Sequence, residues 1–474
     1  MLFSSLEFLL FFMPLVILVN LLLPKSIKNY WLLLCSLFFY AFGEPKFVIV
    51  MIGSIIINYI VALAIGSSKK KIVRKTMLIG AVILNLGILF VYKYMNFVTH
   101  TVHSIFPSTT SLFEETSIVL PIGISFFTFQ AMSYVIDVYR GIPAQKNPFY
   151  LGLYISFFPQ LIAGPIVRYT TIMDQIKQRT TSLDDFTEGM IRFLRGFNKK
   201  VLLSNLFAEI ADASFGSNEL SISMAWLGAI CYALQIFFDF SGYSDMAIGL
   251  GRIFGFRFLE NFDYPYISKT ITEFWRRWHI SLGTWFRDYL YFPMGGSRVK
   301  SKFRLVFNLS VVWLATGIWH GASWNFILWG VLYGVVIIVE KLFGIPQKVE
   351  KKAYTRWPYY VFTMFLVLMG WVLFRAPDLN TSLYYMKAMF GLTGNPLFDG
   401  IFVYNIRNIF VILFAGILCS TPIFKKIRLK VESKGVVYAK TIDVVSCLWQ
   451  ILLFVVGVSF LVMDAHNPFI YFNF

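Results

Sequence analysis

The sequence predicts an all-α, polytopic transmembrane bundle of about eleven spans or half-spans. Three observations carry that prediction. Hydrophobic residues make up 57% of the chain and charged residues only 14%, whereas soluble proteins carry about 25% charged residues. Several apolar runs approach the roughly 20 residues that cross a bilayer as a helix. Lysine and arginine gather in short connections that alternate with acidic ones, the asymmetry expected of cytoplasmic and outer loops. The runs are apolar on every face, which excludes a transmembrane β-barrel, whose strands alternate apolar and polar residues. The net charge of +17 comes from these loops. No basic domain stands outside the spans, so nucleic acid is not an expected partner.

Taken in order, the first span covers Glu7–Leu23 and lacks both a basic n-region and a small-residue cleavage site. It reads as a retained span, with the N-terminus outside. Trp31–Phe42, Phe47–Ile65 and Thr76–Val98 follow, the last two separated by Lys69, Lys70, Lys71, Arg74 and Lys75. The next loop, His100–Ser117, carries Glu114 and Glu115 and belongs outside. Leu120–Val138 returns to Arg140 and Lys146. Phe149–Val167 contains Pro159, Gly164 and Pro165, which break a regular helix and mark a re-entrant or kinked segment. Phe186–Phe197 has the pattern of an amphipathic surface helix. Val201–Ala213 is a short span and Met224–Leu250 a long one. Beyond Glu273–Trp329, three further spans cover Tyr359–Phe374, Ile406–Cys419 and Val444–Val462, with the closing tail outside. No internal repeat is present, and residues 1–474 read as one integral-membrane domain. The four cysteines stand singly and have no metal-binding or disulfide spacing.

Chemistry concentrates in Glu273–Trp329, where two of the five histidines lie, each directly after a tryptophan. Intramembrane ionisable groups are functional by default, because hydrocarbon penalises them. His320 closes a run that starts near the inner face at Leu305, about 22 Å further along a helix. Its imidazole, with an ordinary pKa of about 6.5, suits proton removal from a hydroxyl. Thr316 and Gly317 are small enough to let a neighbouring helix approach. On one continuous helix, Trp275, Trp278 and Leu282 would share a face, with Arg276 and His279 beside it. The guanidiniums of Arg276 and Arg277 suit the phosphates of an anionic donor, or else simply snorkel from an interfacial helix. Asp239 and Asp245 read as partners of basic groups, as does Asp137 for Arg140. Ser125 and Ser241 are conceivable hydrolase nucleophiles, but no G-x-S-x-G elbow accompanies them.

Five segments resemble the membrane-bound O-acyltransferases, in their bacterial alginate O-acetyltransferase-like branch. They are Leu120–Gly141, Phe157–Arg168, Phe237–Gly255, EFWRRWHISLGTWFRDYLYFPMGGSR at Glu273–Arg298, and TGIWHGASWNFILWG at Thr316–Gly330. The closing PFIYFNF is similar as well. The resemblance implies helices arranged around a central funnel or tunnel. It carries the catalytic histidine onto His320 and the second characteristic histidine onto His279. Arg276, Arg277, Trp275, Trp319 and Asn325 are the expected substrate-binding residues.

By the same resemblance, an acetyl or other acyl group moves from a cytoplasmic thioester to a hydroxyl acceptor, or to a relay partner outside. No bound cofactor is implied; acetyl-coenzyme A or another acyl thioester is substrate. Expected partners are membrane lipid, a periplasmic SGNH-type transferase or small relay protein, and a glycan such as alginate or peptidoglycan. The setting is the bacterial cytoplasmic membrane. D-alanyl transfer to teichoic acid, by related enzymes sharing WRRWH and WHG, is the alternative chemistry. A transporter of an acetylated precursor is the alternative class, though transporters commonly carry internal repeats.

Overall fold

The computed structural model describes residues 1–106, 117–217 and 219–463, and among these the regular structure is entirely helical. Glu114, Glu115 and the PFIYFNF tail lie outside the described residues. The chain divides into two compact units, Met1–Phe193 with Met246–Leu259, and Leu194–Asp245 with Glu260–Phe474. Seven of the described helices are long and apolar enough to cross a membrane: Val48–Ser67, Lys71–Ile105, Ile222–Ile253, Trp324–Leu342, Ala353–Arg375, Gly400–Cys419 and Val436–Val462. The expected spans at Glu7–Leu23, Trp31–Phe42 and Leu305–Trp319 are also helical, within Phe8–Leu22, Lys25–Gly43 and Lys302–His320. These three are shorter or carry polar first turns, so they fall outside the seven.

In the first unit, the segment flagged by its prolines is broken as expected. A helix over Pro148–Ser156 stops at Phe157, a single turn covers Phe158–Leu161, and the chain is then irregular up to Tyr169. Every residue from 151 to 167 is buried, the condition under which irregular backbone survives in a membrane protein. Gly164 is required there, because a Cβ would sit 2.5 Å from Gln160 Cα. Elsewhere in this unit Asn58 and Asn85 exchange amide hydrogen bonds of 3.1 and 2.8 Å, joining two spans. Asp137 and Arg140 pair at 3.9 Å, as their spacing suggests.

The second unit holds the histidines. Two of its buried aspartates are paired with lysines: Asp239 meets Lys200 at 2.7 Å with both side chains at most 2% exposed, and Asp245 meets Lys199 at 2.7 Å. A buried charge without a partner would cost several kcal/mol, so these pairs fix the register of the Ile222–Ile253 helix against the π-helical turn Lys199–Ser204. The Lys302–His320 and Trp324–Leu342 helices pack backbone to backbone. A Cβ on Gly317 would lie 2.5 Å from Phe326 O, and one on Gly330 2.6 Å from Trp313 O. Small residues before His320 thus do permit the close approach anticipated from sequence.

Candidate active site

The segment bearing WRRWH is built in two pieces. A helix runs over Ile271–Arg277, and its free N–H groups are captured at the start. Thr270 Oγ accepts from Glu273 N–H at 3.1 Å. The fully buried Glu340 carboxylate accepts from Ile271 N–H at 2.9 Å and Thr272 N–H at 2.8 Å. A carboxylate there complements the positive helix end.

The chain then leaves the helix. Trp278 is extended (φ −101°, ψ 131°), and His279 adopts the left-handed conformation at φ 44°, before a second helix covers Ile280–Phe286. The expectation of one continuous helix with Trp275, Trp278 and Leu282 on a common face is therefore corrected. The physical reason lies in the 261–263 strip. Asp263 N–H donates to Arg277 O at 3.0 Å, Ile280 N–H to Asn261 O at 3.0 Å, and Ser281 N–H to Asn261 Oδ1 at 3.1 Å. Those bonds replace the helical ones. They hold a non-glycine residue in a backbone region that costs of order 1–3 kcal/mol, a kind of strain that clusters at functional sites.

His279 is 2% exposed. Its Nδ1 lies 3.2 Å from Asn261 Oδ1 and 3.4 Å from Ser281 Oγ, while its Nε2 is buried without a hydrogen-bond partner among the described residues. The ring meets Phe240 edge-on at 4.6 Å and Trp319 at 6.1 Å. His320 packs against the same indole, edge to face at 5.0 Å. It is 7% exposed, and Trp329 and Phe374 flank it at 4.9 and 5.3 Å. His320 also lines a small cavity with Ile236, Phe240, Trp278, Trp329, Trp371 and Phe374. Phe240 thus touches His279 and walls the cavity that His320 enters. His320 lines an aromatic cavity next to the buried His279, with no carboxylate among the lining residues.

Residues 145–386 match the model of MBOAT, the membrane-bound O-acyltransferase family. The chain belongs to this family. Among its relatives, the probable alginate O-acetylase AlgI of Azotobacter vinelandii is 39% identical, with 100% of each chain covered. The peptidoglycan O-acetyltransferase of Helicobacter pylori is 34% identical over 100% of this chain and 98% of the relative. The teichoic acid D-alanyltransferase of Bacillus subtilis is 29% identical over 58% of this chain and 69% of the relative. The protein is a multi-pass membrane O-acyltransferase.

The remaining expected site residues of the acyltransferase fall around this pocket in different ways. Arg277 is engaged with Asp263 Oδ2 at 2.9 Å and Glu273 Oε1 at 3.0 Å, and so braces the break before His279. Arg276 is exposed. Trp275 packs edge-on against Trp313, Trp329 and Tyr333 at 5.0–5.2 Å, behind the cavity wall. Trp319 packs near both histidine rings. Asn325 donates to Ala376 O at 2.8 Å and Ser382 Oγ at 3.2 Å, tying the first turn of its helix to the 376–382 segment. Of the seven expected residues only His320 lines the cavity itself. Ser125 accepts from Lys93 Nζ at 3.3 Å in the first unit, and Ser241 is buried in the second.

Sequence reasoning missed Asn261, Glu340, Trp278, Trp371 and Phe374. Trp278 had a signal, its place directly before His279. Trp371 and Phe374 come from the Ala353–Arg375 helix, where nothing local separates them from other apolar residues.

Proposed function

We propose that this acyltransferase moves an acetyl group from a cytoplasmic thioester, acetyl-coenzyme A or a similar acyl donor, to a hydroxyl on the far side of the bacterial cytoplasmic membrane. The recipient is a glycan, or a relay partner such as an SGNH-type transferase that then acetylates the glycan. The observation that carries this reading is His320 lining an aromatic cavity whose Phe240 wall also packs against the buried His279. The relatives named for O-acetylation cover 82–100% of the chain, whereas those named for D-alanyl transfer cover 49–58% of it. That difference favours acetyl.

In this mechanism His320 takes the proton of the acceptor hydroxyl as general base. The oxygen attacks the thioester carbonyl, a C–O bond forms and the C–S bond breaks. Sulfur departs with the electron pair and receives the proton, leaving a thiol and an ester. His279 either polarises the carbonyl or handles the proton bound for sulfur. The aromatic walls exclude water, which limits hydrolysis of the thioester. Arg276, exposed beside the pocket's WRRWH segment, steers the donor's phosphates, and Arg277 does so only by exchanging its carboxylate partners.

The test uses purified protein in vesicles with labelled acetyl-coenzyme A and a soluble acceptor. Wild type should release the free thiol and label the acceptor. His320→Ala should lose at least about 100-fold, the usual worth of a general base, and His279→Ala should be similarly impaired. Full O-acetylation by His320→Ala would remove the base assignment. Flux of label without thiol release would instead indicate a transporter.

A further inference from the structure

We infer that Asn261 is a positioning residue that holds His279 in one tautomer, with its proton on Nδ1 and a bare, proton-accepting Nε2. The inference deepens the proposed function and rests on that reading for its catalytic meaning, though not for its geometry. The logic starts from a group that can act in only one way. Ser281 N–H is a donor and nothing else, and it points at the Asn261 side chain at 3.1 Å. The atom receiving it must be the amide oxygen, which fixes the orientation of a side chain whose O and N otherwise look alike. The other end agrees, because Asn261 Nδ2 donates to Ser244 Oγ at 3.1 Å. The same oxygen lies 3.2 Å from His279 Nδ1 and accepts the Ser281 hydroxyl at 2.9 Å. An amide oxygen cannot donate, so the 3.2 Å contact is a hydrogen bond only with the hydrogen on Nδ1, and the Ser281 hydroxyl, 3.4 Å from Nδ1, gives its own hydrogen to the nearer amide oxygen at 2.9 Å.

In a neutral imidazole only one nitrogen is protonated. Nε2 is therefore the lone-pair atom, and it is the one buried without a hydrogen-bond partner among the described residues, on the ring that Phe240 and Trp319 hold. Of the two roles open to His279, polarising a carbonyl needs an N–H that the resting Nε2 lacks. The remaining role is proton transfer. The proton lost by the acceptor hydroxyl is taken up by imidazole nitrogen in the pocket, passes through Nε2 of His279, and ends on the departing sulfur, with no net gain or loss. Asn261 is 1% exposed, and its backbone also anchors the turn through Ile280 N–H. One residue thus sets both the strained backbone and the tautomer of His279.

The experiment reads the tautomer directly. Histidine-selective 15N labelling of the full-length protein in lipid, with His279→Gln to assign the resonances, separates protonated from bare ring nitrogens. Wild type should show Nδ1–H and a bare Nε2 at His279. Asn261→Asp, which retains an acceptor oxygen, should keep that pattern. Asn261→Ala combined with Ser281→Ala should populate the Nε2–H form and lower kcat about 10- to 100-fold with little change in KM, the range seen when a partner that orients a histidine is lost. A protonated Nε2 in the wild-type protein would overturn the inference even if both alanine variants misfold. So would an unchanged tautomer in the folded double variant. Full transfer by His279→Ala would strike the catalytic reading alone, since the resonances do not depend on turnover.

Discussion

Glu340 illustrates how much one side chain can set at a distance. It is fully buried, and it accepts two backbone N–H groups at the head of the WRRWH helix and the Tyr359 hydroxyl at 3.2 Å. A buried N–H stripped of its acceptor costs about 1–3 kcal/mol. Glu340→Ala should therefore destabilise the protein by about 2–4 kcal/mol, read as a clear fall in apparent melting temperature in detergent. Glu340→Gln, which keeps one acceptor oxygen, should fall less. Equal melting of the alanine variant and wild type would show that the cap contributes nothing. The two histidines were legible in the sequence because each is an ionisable residue in an apolar stretch, next to a tryptophan. Asn261 and Glu340 were not, because each acts on residues 18 to 69 positions away and neither sits in a motif of its own.

At the scale of the element, the sequence reading succeeded wherever a helix is decided by composition and failed where hydrogen bonds from elsewhere override it. The spans and the proline-broken segment stand close to their expected limits. The break at Trp278–His279 was invisible, because nothing in WRRWHISLG disfavours a helix until the 261–263 strip takes its N–H groups. Gly317 is the converse case, a local signal with a long-range consequence. Gly317→Ala places a methyl 2.5 Å from Phe326 O, and such overpacking costs about 1–3 kcal/mol. His320 lies three residues on, so the shift reaches the pocket, where displacement by about 1 Å can cost 10²-fold in rate. Gly317→Ala should lower both melting temperature and acyl transfer. Gly53→Ala, in a span where a Cβ meets nothing within 4 Å, should lower neither.

For the whole molecule, charge distribution sets which chemistry faces which compartment. The helix ending in His320 begins beside Arg298, Lys300, Lys302 and Arg304, a basic group that the positive-inside bias assigns to the cytoplasm. The helix ending in Phe374 and Arg375 begins after Lys348, Lys351 and Lys352, carries Arg356 in its first turn, and runs the same way by the same rule. Both helices deliver cavity-lining residues at their far ends, His320 and Phe374. The pocket would then lie away from the cytoplasmic starts of these two helices. Lys300 and Asn380 are both exposed, so each can be read by a membrane-impermeant thiol reagent once the four native cysteines are replaced. Lys300→Cys should label only after the cells are opened, and Asn380→Cys in intact spheroplasts. Labelling of both from one side would break the link between these two helices and the compartments assigned to donor and acceptor. The reverse pattern would invert the direction of transfer. The expected pattern would set the ends of these two helices on opposite sides of the membrane, the topology that the proposed transfer across it requires.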